Sequence, residues 1–135
     1  MIISDILTRR DIDQLVAEFY AAAIPDPMIG HHFNDLDLES HLPVMTDFWE
    51  KTIFGRPVYF GNPLVIHQTL HDKVPMTTEQ FARWIEIFVT TVDRLFIGEN
   101  ANNAKLRARM IADSLNQRLN EDARISGLSN FGRSF

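Results

Sequence analysis

Apolar residues recur three and four positions apart along almost the whole chain, and this spacing, which lines one side of an α-helix, constrains the fold more than any other feature. The pattern begins with Ile12, Leu15, Val16, Phe19 and Ala23 behind Thr8 as N-cap, and Pro25 and Pro27 end the run. A short segment from Ile29 to Phe33 leads to a second start at Ser40, where Pro43 falls in the first turn and is tolerated. Leu42, Met45, Trp49 and Ile53 continue that stripe. Gly55, Pro57, Gly61 and Pro63 make the next stretch a loop, and Asn62 before Pro63 signals entry into a short helix carrying His67, ended by Lys73, Val74 and Pro75. Thr77 with Gln80 reads as a capping box for the strongest helix, whose apolar face comprises Phe81, Trp84, Ile85, Phe88, Val89, Val92 and Phe96. Gly98 closes it, and Asn103 caps a last helix bearing Leu106, Met110, Ile111, Leu115 and Leu119. The one strand-like stretch, Val58 to Phe60, is too short to found a sheet. The predicted fold is all-α, with one domain over residues 1–120 and a flexible C-terminal tail, EDARISGLSNFGRSF, over 121–135.

What such a helical core can do is narrowed by what the chain lacks. With no Cys, thiolate zinc sites, iron–sulfur clusters and cysteine nucleophiles are excluded, so a metal must rely on His and carboxylates. A net charge of −5 argues against a nucleic-acid surface, which needs clustered Lys and Arg. The opening MIISDILTRRD mixes charges into its first ten positions, unlike a secretory signal, and no apolar run approaches a membrane span. A cytoplasmic protein with no membrane or nucleic-acid partner is expected. Ten Phe, two Trp and two Tyr place much flat aromatic area in the interior, which suits a core or a planar ligand.

Five histidines, His31, His32, His41, His67 and His71, are the candidates for metal or acid–base chemistry. His67 stands out because it follows Leu64, Val65 and Ile66, so its imidazole lies on an apolar wall, and a buried polar group needs a partner such as a metal. His67 and His71 lie four apart on one helical face and could begin a zinc site, but no H-E-x-x-H pattern accompanies them. Tyr20 sits on the core side of the first helix where Leu or Phe would be the plain choice, and Trp84 carries a donor-only indole N–H. Both are satisfied core groups or donors aimed into a pocket. Phe33, Phe48, Trp49 and Phe88 are core residues unless a planar cofactor is bound.

The runs LVAEFYAAAIPDPMIGHHFND, HLPVMTDFWEKTIFG, YFGNPLVIHQTLH and EQFARWIEIF, in that order, resemble the third group of truncated haemoglobins, over about Ile12 to Leu119. The anchors are the Phe-Tyr pair, the Phe-Trp pair downstream of His41, the G-N-P-L-x-x-H segment and the R-W-I near the start of the next helix. The glycine pairs of the other truncated groups are absent, as in the third group. The resemblance implies a globin-like two-over-two helical sandwich around haem b, with a much reduced first helix. His67 is then the proximal iron ligand. Tyr20, Trp84 and His41 occupy the distal ligand-binding side, Met45 packs over the distal haem face, and Phe33, Phe48, Trp49 and Phe88 complete the haem pocket. Arg56 and His71 are candidates for holding the haem propionates.

The expected function is reversible binding of oxygen and other diatomic gases at a five-coordinate haem iron, in oxygen or nitric oxide handling. Two donors, Tyr20 O–H and Trp84 N–H, imply slow release, which suits a carrier in oxygen transport poorly. Nitric oxide dioxygenase or peroxidase-like turnover would need an external reductase, since no flavin or reductase motif is present. The protein is expected to be a monomer. The competing readings are a cofactor-free helical interaction module and a His/carboxylate metallohydrolase.

Overall fold

Thr8 starts the first helix as the sequence predicts. Its side chain accepts from Asp11 N at 3.3 Å, while the Asp11 carboxylate accepts from Thr8 N at 3.0 Å and Leu7 N at 2.8 Å, a capping box closed by Asp. The computed structural model describes residues 3–62 and 74–121. Within them α1 spans Arg9–Ala23 and buries Ile12, Leu15, Val16, Phe19, Tyr20 and Ala23. A 3-10 turn, Gly30–Phe33, follows the Pro25 and Pro27 break.

Helix α2, Leu38–Phe54, begins two residues before the predicted Ser40, so Pro43 lies beyond its first turn. Leu38 and Leu42 both pack on the core, and that burial holds the early turn although Pro43 cannot donate to the carbonyl of Glu39. Gly55 ends α2 with φ 73°, a left-handed cap in which its N–H donates to Lys51 O at 2.8 Å. Helix α3, Thr78–Leu95, starts on the predicted capping box: Gln80 N donates to Thr77 Oγ1 at 3.2 Å, and Thr77 N donates to Gln80 Oε1 at 2.9 Å.

The start of helix α4, Glu99–Asn116, overturns the Asn103 cap, which falls inside the helix. Its first turn is capped from 95 residues away. The Asp5 carboxylate accepts from Asn100 N at 2.9 Å and Ala101 N at 2.8 Å, and Asn100 Nδ2 returns a bond to Ile6 O at 2.7 Å. Gly98, with φ 144°, closes against Asp5 where any Cβ would collide with its side chain. The buried stripe of α4 is Ala101, Ala104, Ala108, Ala112 and Leu115, with Leu119 beyond it, rather than one including Leu106 and Met110, which are 53% and 52% exposed. Alanines let α4 approach α3 closely, which larger residues on that face would prevent. A π-helical turn, Gln117–Glu121, finishes the described chain.

The Asp5 cap carries an expected result. Burial alone would raise its carboxyl pKa, but the N–H donors of Asn100, Ala101 and Ile6 outweigh burial and hold it below the ordinary 3.8. Asp5→Ala should therefore cost about 1 to 2 kcal/mol in urea unfolding at neutral pH. The charged cap contributes fully above the unfolded value and is lost as pH falls through the lower folded value, so the difference between variant and parent should shrink in acid. A gap that persists into strong acid would refute the charged cap.

Helices α1 and α2 pack together, as do α3 and α4, and the two pairs meet through α1 on α3 and α2 on α4. This is the expected all-α two-over-two sandwich. One core joins them, with Ile6, Ile12, Leu15, Ala23, Val92, Ala104 and Ala108 fully enclosed. No helix among the described residues is long and apolar enough to cross a membrane. The predicted helix of His67 and the tail beyond residue 121 lie outside the described residues, so the 1–120 and 121–135 division remains a proposal.

Candidate functional site

Tyr20, on the inner face of α1, is 7% exposed, and desolvation pushes its phenol well above the ordinary value of 10.0, so it stays protonated. Its hydroxyl lies 2.7 Å from His41 Nε2 on α2. The two rings meet edge to face at 5.2 Å and 83°. Phe33 also meets Tyr20 edge to face, at 5.6 Å and 86°. A phenol has one hydrogen. With the imidazole proton on Nδ1, Tyr20 donates to His41; with a proton on Nε2, His41 donates and the phenol hydrogen turns elsewhere.

Trp84 of α3 stacks on Phe88 at 5.6 Å and 7°, and Phe88 stacks on Trp49 of α2 at 4.7 Å and 20°. Phe19 meets Trp84 at 5.5 Å and 64°. These rings surround a cavity of about 10 Å³ lined by Tyr20, Met45, Trp49, Trp84 and Phe88 together with Val16 and Phe19. Such a space is about one water molecule in size, the size class of a diatomic gas. Among the described residues its walls are apolar apart from one phenol, that of Tyr20, and the indoles of Trp49 and Trp84, and no carboxylate lines it.

Five residues singled out from the sequence thus share one cavity. His41 reaches it through Tyr20. Phe33 touches Tyr20 but does not line it, and Phe48 packs instead between Trp49 and Tyr59, at 5.3 Å and 5.2 Å. Val16 and Phe19 were legible only as core stripe, because an apolar residue lining a cavity has the same periodicity as one filling a core. His67 and His71 lie outside the described residues. Among the described residues no three His or carboxylate side chains form a metal-binding group.

Ion pairs brace the helices around the cavity, among them Arg94 of α3 with Glu18 of α1 at 2.9 Å. Glu50 of α2, its side chain 6% exposed, accepts from Arg56 Nη1 at 2.8 Å and Arg9 Nη1 at 2.7 Å. Those bonds, Arg56 first, hold its carboxyl below the ordinary 4.5. Arg56, a candidate propionate partner, is therefore engaged with Glu50, and its guanidinium lies 4.9 Å from the Phe54 ring centroid. Asp26, after α1, receives Arg83 of α3, and hydrogen bonds from Arg83 lower its carboxyl pKa.

The helical sandwich, with an apolar cavity between α1, α2 and α3 and a phenol and two indoles on its wall, has a globin-like fold. No family model matches the chain. A group 3 truncated hemoglobin of Campylobacter jejuni is 28% identical over 112 residues, covering 78% of this chain and 86% of that protein. The crystal structure of a group III truncated hemoglobin from Campylobacter jejuni superposes with a TM-score of 0.78 at 26% identity, over 87% of this chain and 95% of that one. The chain is similar to the group 3 truncated haemoglobins in both sequence and fold, as its motifs imply.

Proposed function

We propose that this chain is a haem-binding globin that reversibly binds oxygen and other diatomic gases, with His67 as the proximal ligand. The observation that carries the reading is the Tyr20–His41 hydrogen bond beside a gas-sized aromatic cavity that Trp84 also lines. The aromatic lining suits the face of a planar haem, and the described cavity offers donors for a partly negative gas and no acidic side chain to repel it. Haem b would supply the iron at which a gas binds.

The chain's own residues do the rest. Tyr20 and Trp84 donate hydrogen bonds toward a gas in the cavity, each contributing about 1 to 2 kcal/mol net. His41 competes for the Tyr20 hydrogen. Met45, Val16 and Phe19 keep the space apolar, which strengthens each polar contact within it. Tight binding and slow release follow, and they suit oxygen or nitric oxide handling better than transport. Turnover on nitric oxide would draw electrons from an external reductase. We assign the protein as a cytoplasmic monomer.

The test is the ultraviolet-visible spectrum of the purified protein, as isolated and after dithionite and carbon monoxide, beside His67→Ala. A Soret band that shifts with carbon monoxide and is lost or altered in the variant is expected. Protein that stays colourless and folded when supplied with haem would overturn the reading in favour of a cofactor-free helical module.

A further inference from the structure

We propose that the Asp26–Arg83 ion pair positions the Trp84 indole in the cavity, an inference that rests on the gas-binding reading above. The Asp26 side chain is 4% exposed. Its Oδ1 accepts from Met28 N at 2.9 Å and Ile29 N at 3.2 Å, and its Oδ2 accepts from Arg83 Nε at 2.9 Å and Nη2 at 2.7 Å. One oxygen is thus committed to the turn after α1 and the other to α3.

That turn is itself constrained. Gly30 N donates to Asp26 O at 2.8 Å, and a Cβ at Gly30 would run into the Ile24 carbonyl oxygen. One turn earlier on the same side of α3, Gln80 Nε2 donates to Met28 O at 3.3 Å, and Gln80 Oε1 lies 3.1 Å from His32 Nε2. Residues 80 and 83 of α3 are therefore both tied to the segment between α1 and α2, which sets the rotation of α3 about its axis.

Trp84 is the next residue, turned roughly 100° further round the helix. Holding Arg83 at the rim directs the indole toward Tyr20 and the cavity, where Phe88 and Phe19 support it from the inside. The Arg83 side chain is 34% exposed, and an ion pair at such a position adds little net stability. Its contribution is orientation. A planar guanidinium presenting two donors to one carboxylate resists rotation in a way that a single ammonium does not.

The experiment uses the two tryptophans of the chain, Trp49 and Trp84, whose indole N–H resonances are assigned in a nitrogen–proton correlation spectrum with Trp84→Phe. In Asp26→Asn, which keeps an acceptor for Met28 and Ile29, and in Arg83→Leu, the Trp84 resonance should move while that of Trp49 stays. Oxygen dissociation from the haem-loaded protein should accelerate roughly threefold or more in each variant, with no further acceleration in a Trp84→Phe background. Arg83→Lys should recover only part of the parent behaviour. An unmoved Trp84 resonance, or the same acceleration without Trp84, would overturn the proposal. Should Arg83→Leu not fold, Asp26→Asn alone decides. Should the parent bind no haem, the gas reading fails, and the indole resonances still test the positioning role.

Discussion

Tyr20→Phe is expected to raise the oxygen dissociation rate of the haem-loaded protein roughly five- to thirtyfold, the equivalent of about 1 to 2 kcal/mol. The ring stays, so the edge-to-face contacts with Phe19 at 5.1 Å and Phe33 at 5.6 Å survive and only the donor is lost. Burial keeps the phenol protonated, so the effect should persist across the neutral range. His41→Leu separates the two uses of that hydrogen. His41 Nε2 is 2.7 Å from the hydroxyl, so removing it ends the competition for the donor and should slow dissociation while Tyr20 is present. In the Tyr20→Phe background the His41 substitution should lose this effect, since the donor it acts through is gone. Stopped-flow displacement of oxygen by carbon monoxide measures all four proteins. A Tyr20→Phe rate equal to that of the parent would remove Tyr20 from ligand stabilisation.

Phe88→Ala should be the most damaging single core substitution, costing about 3 to 5 kcal/mol in urea unfolding. Phe88 is 2% exposed and stacks with both Trp49 and Trp84, at 4.7 Å and 5.6 Å, with Phe19 at 5.8 Å. Its removal opens a void at the junction of α1, α2 and α3 and leaves both indoles without their shared partner. Phe88→Leu, which keeps most of the volume, should cost less than half as much. A Phe88→Ala protein as stable as the parent would show that the neighbouring rings collapse into the space. The measurement also bears on function, because Trp84 is supported by Phe88 from within and by the Asp26–Arg83 pair through its own helix.

The helical class, most helix boundaries, the Thr8 N-cap and the Thr77 capping box follow from the sequence, because caps, prolines and the three-to-four spacing act over a few residues. The four quoted runs likewise identified the globin resemblance, and their residues Tyr20, Met45, Trp49, Trp84 and Phe88 do line one cavity. Local pattern went wrong at the start of α4. Asn103 is a good N-cap by type, yet the helix begins at Glu99 because Asp5, remote in sequence, satisfies its first N–H groups. The same helix misleads in its packing: Leu106 and Met110 share the helical period of a core face, but the close approach of α3 selects the alanines instead. At the site, the sequence by itself determined which polar side chains stand among apolar neighbours, since periodicity marks Tyr20 and Trp84 as inward-facing. Only the tertiary structure decided their partners. The Tyr20–His41 bond spans 21 positions and the Asp26–Arg83 bonds 57, and such pairings depend on how helices cross in space, which no local spacing encodes.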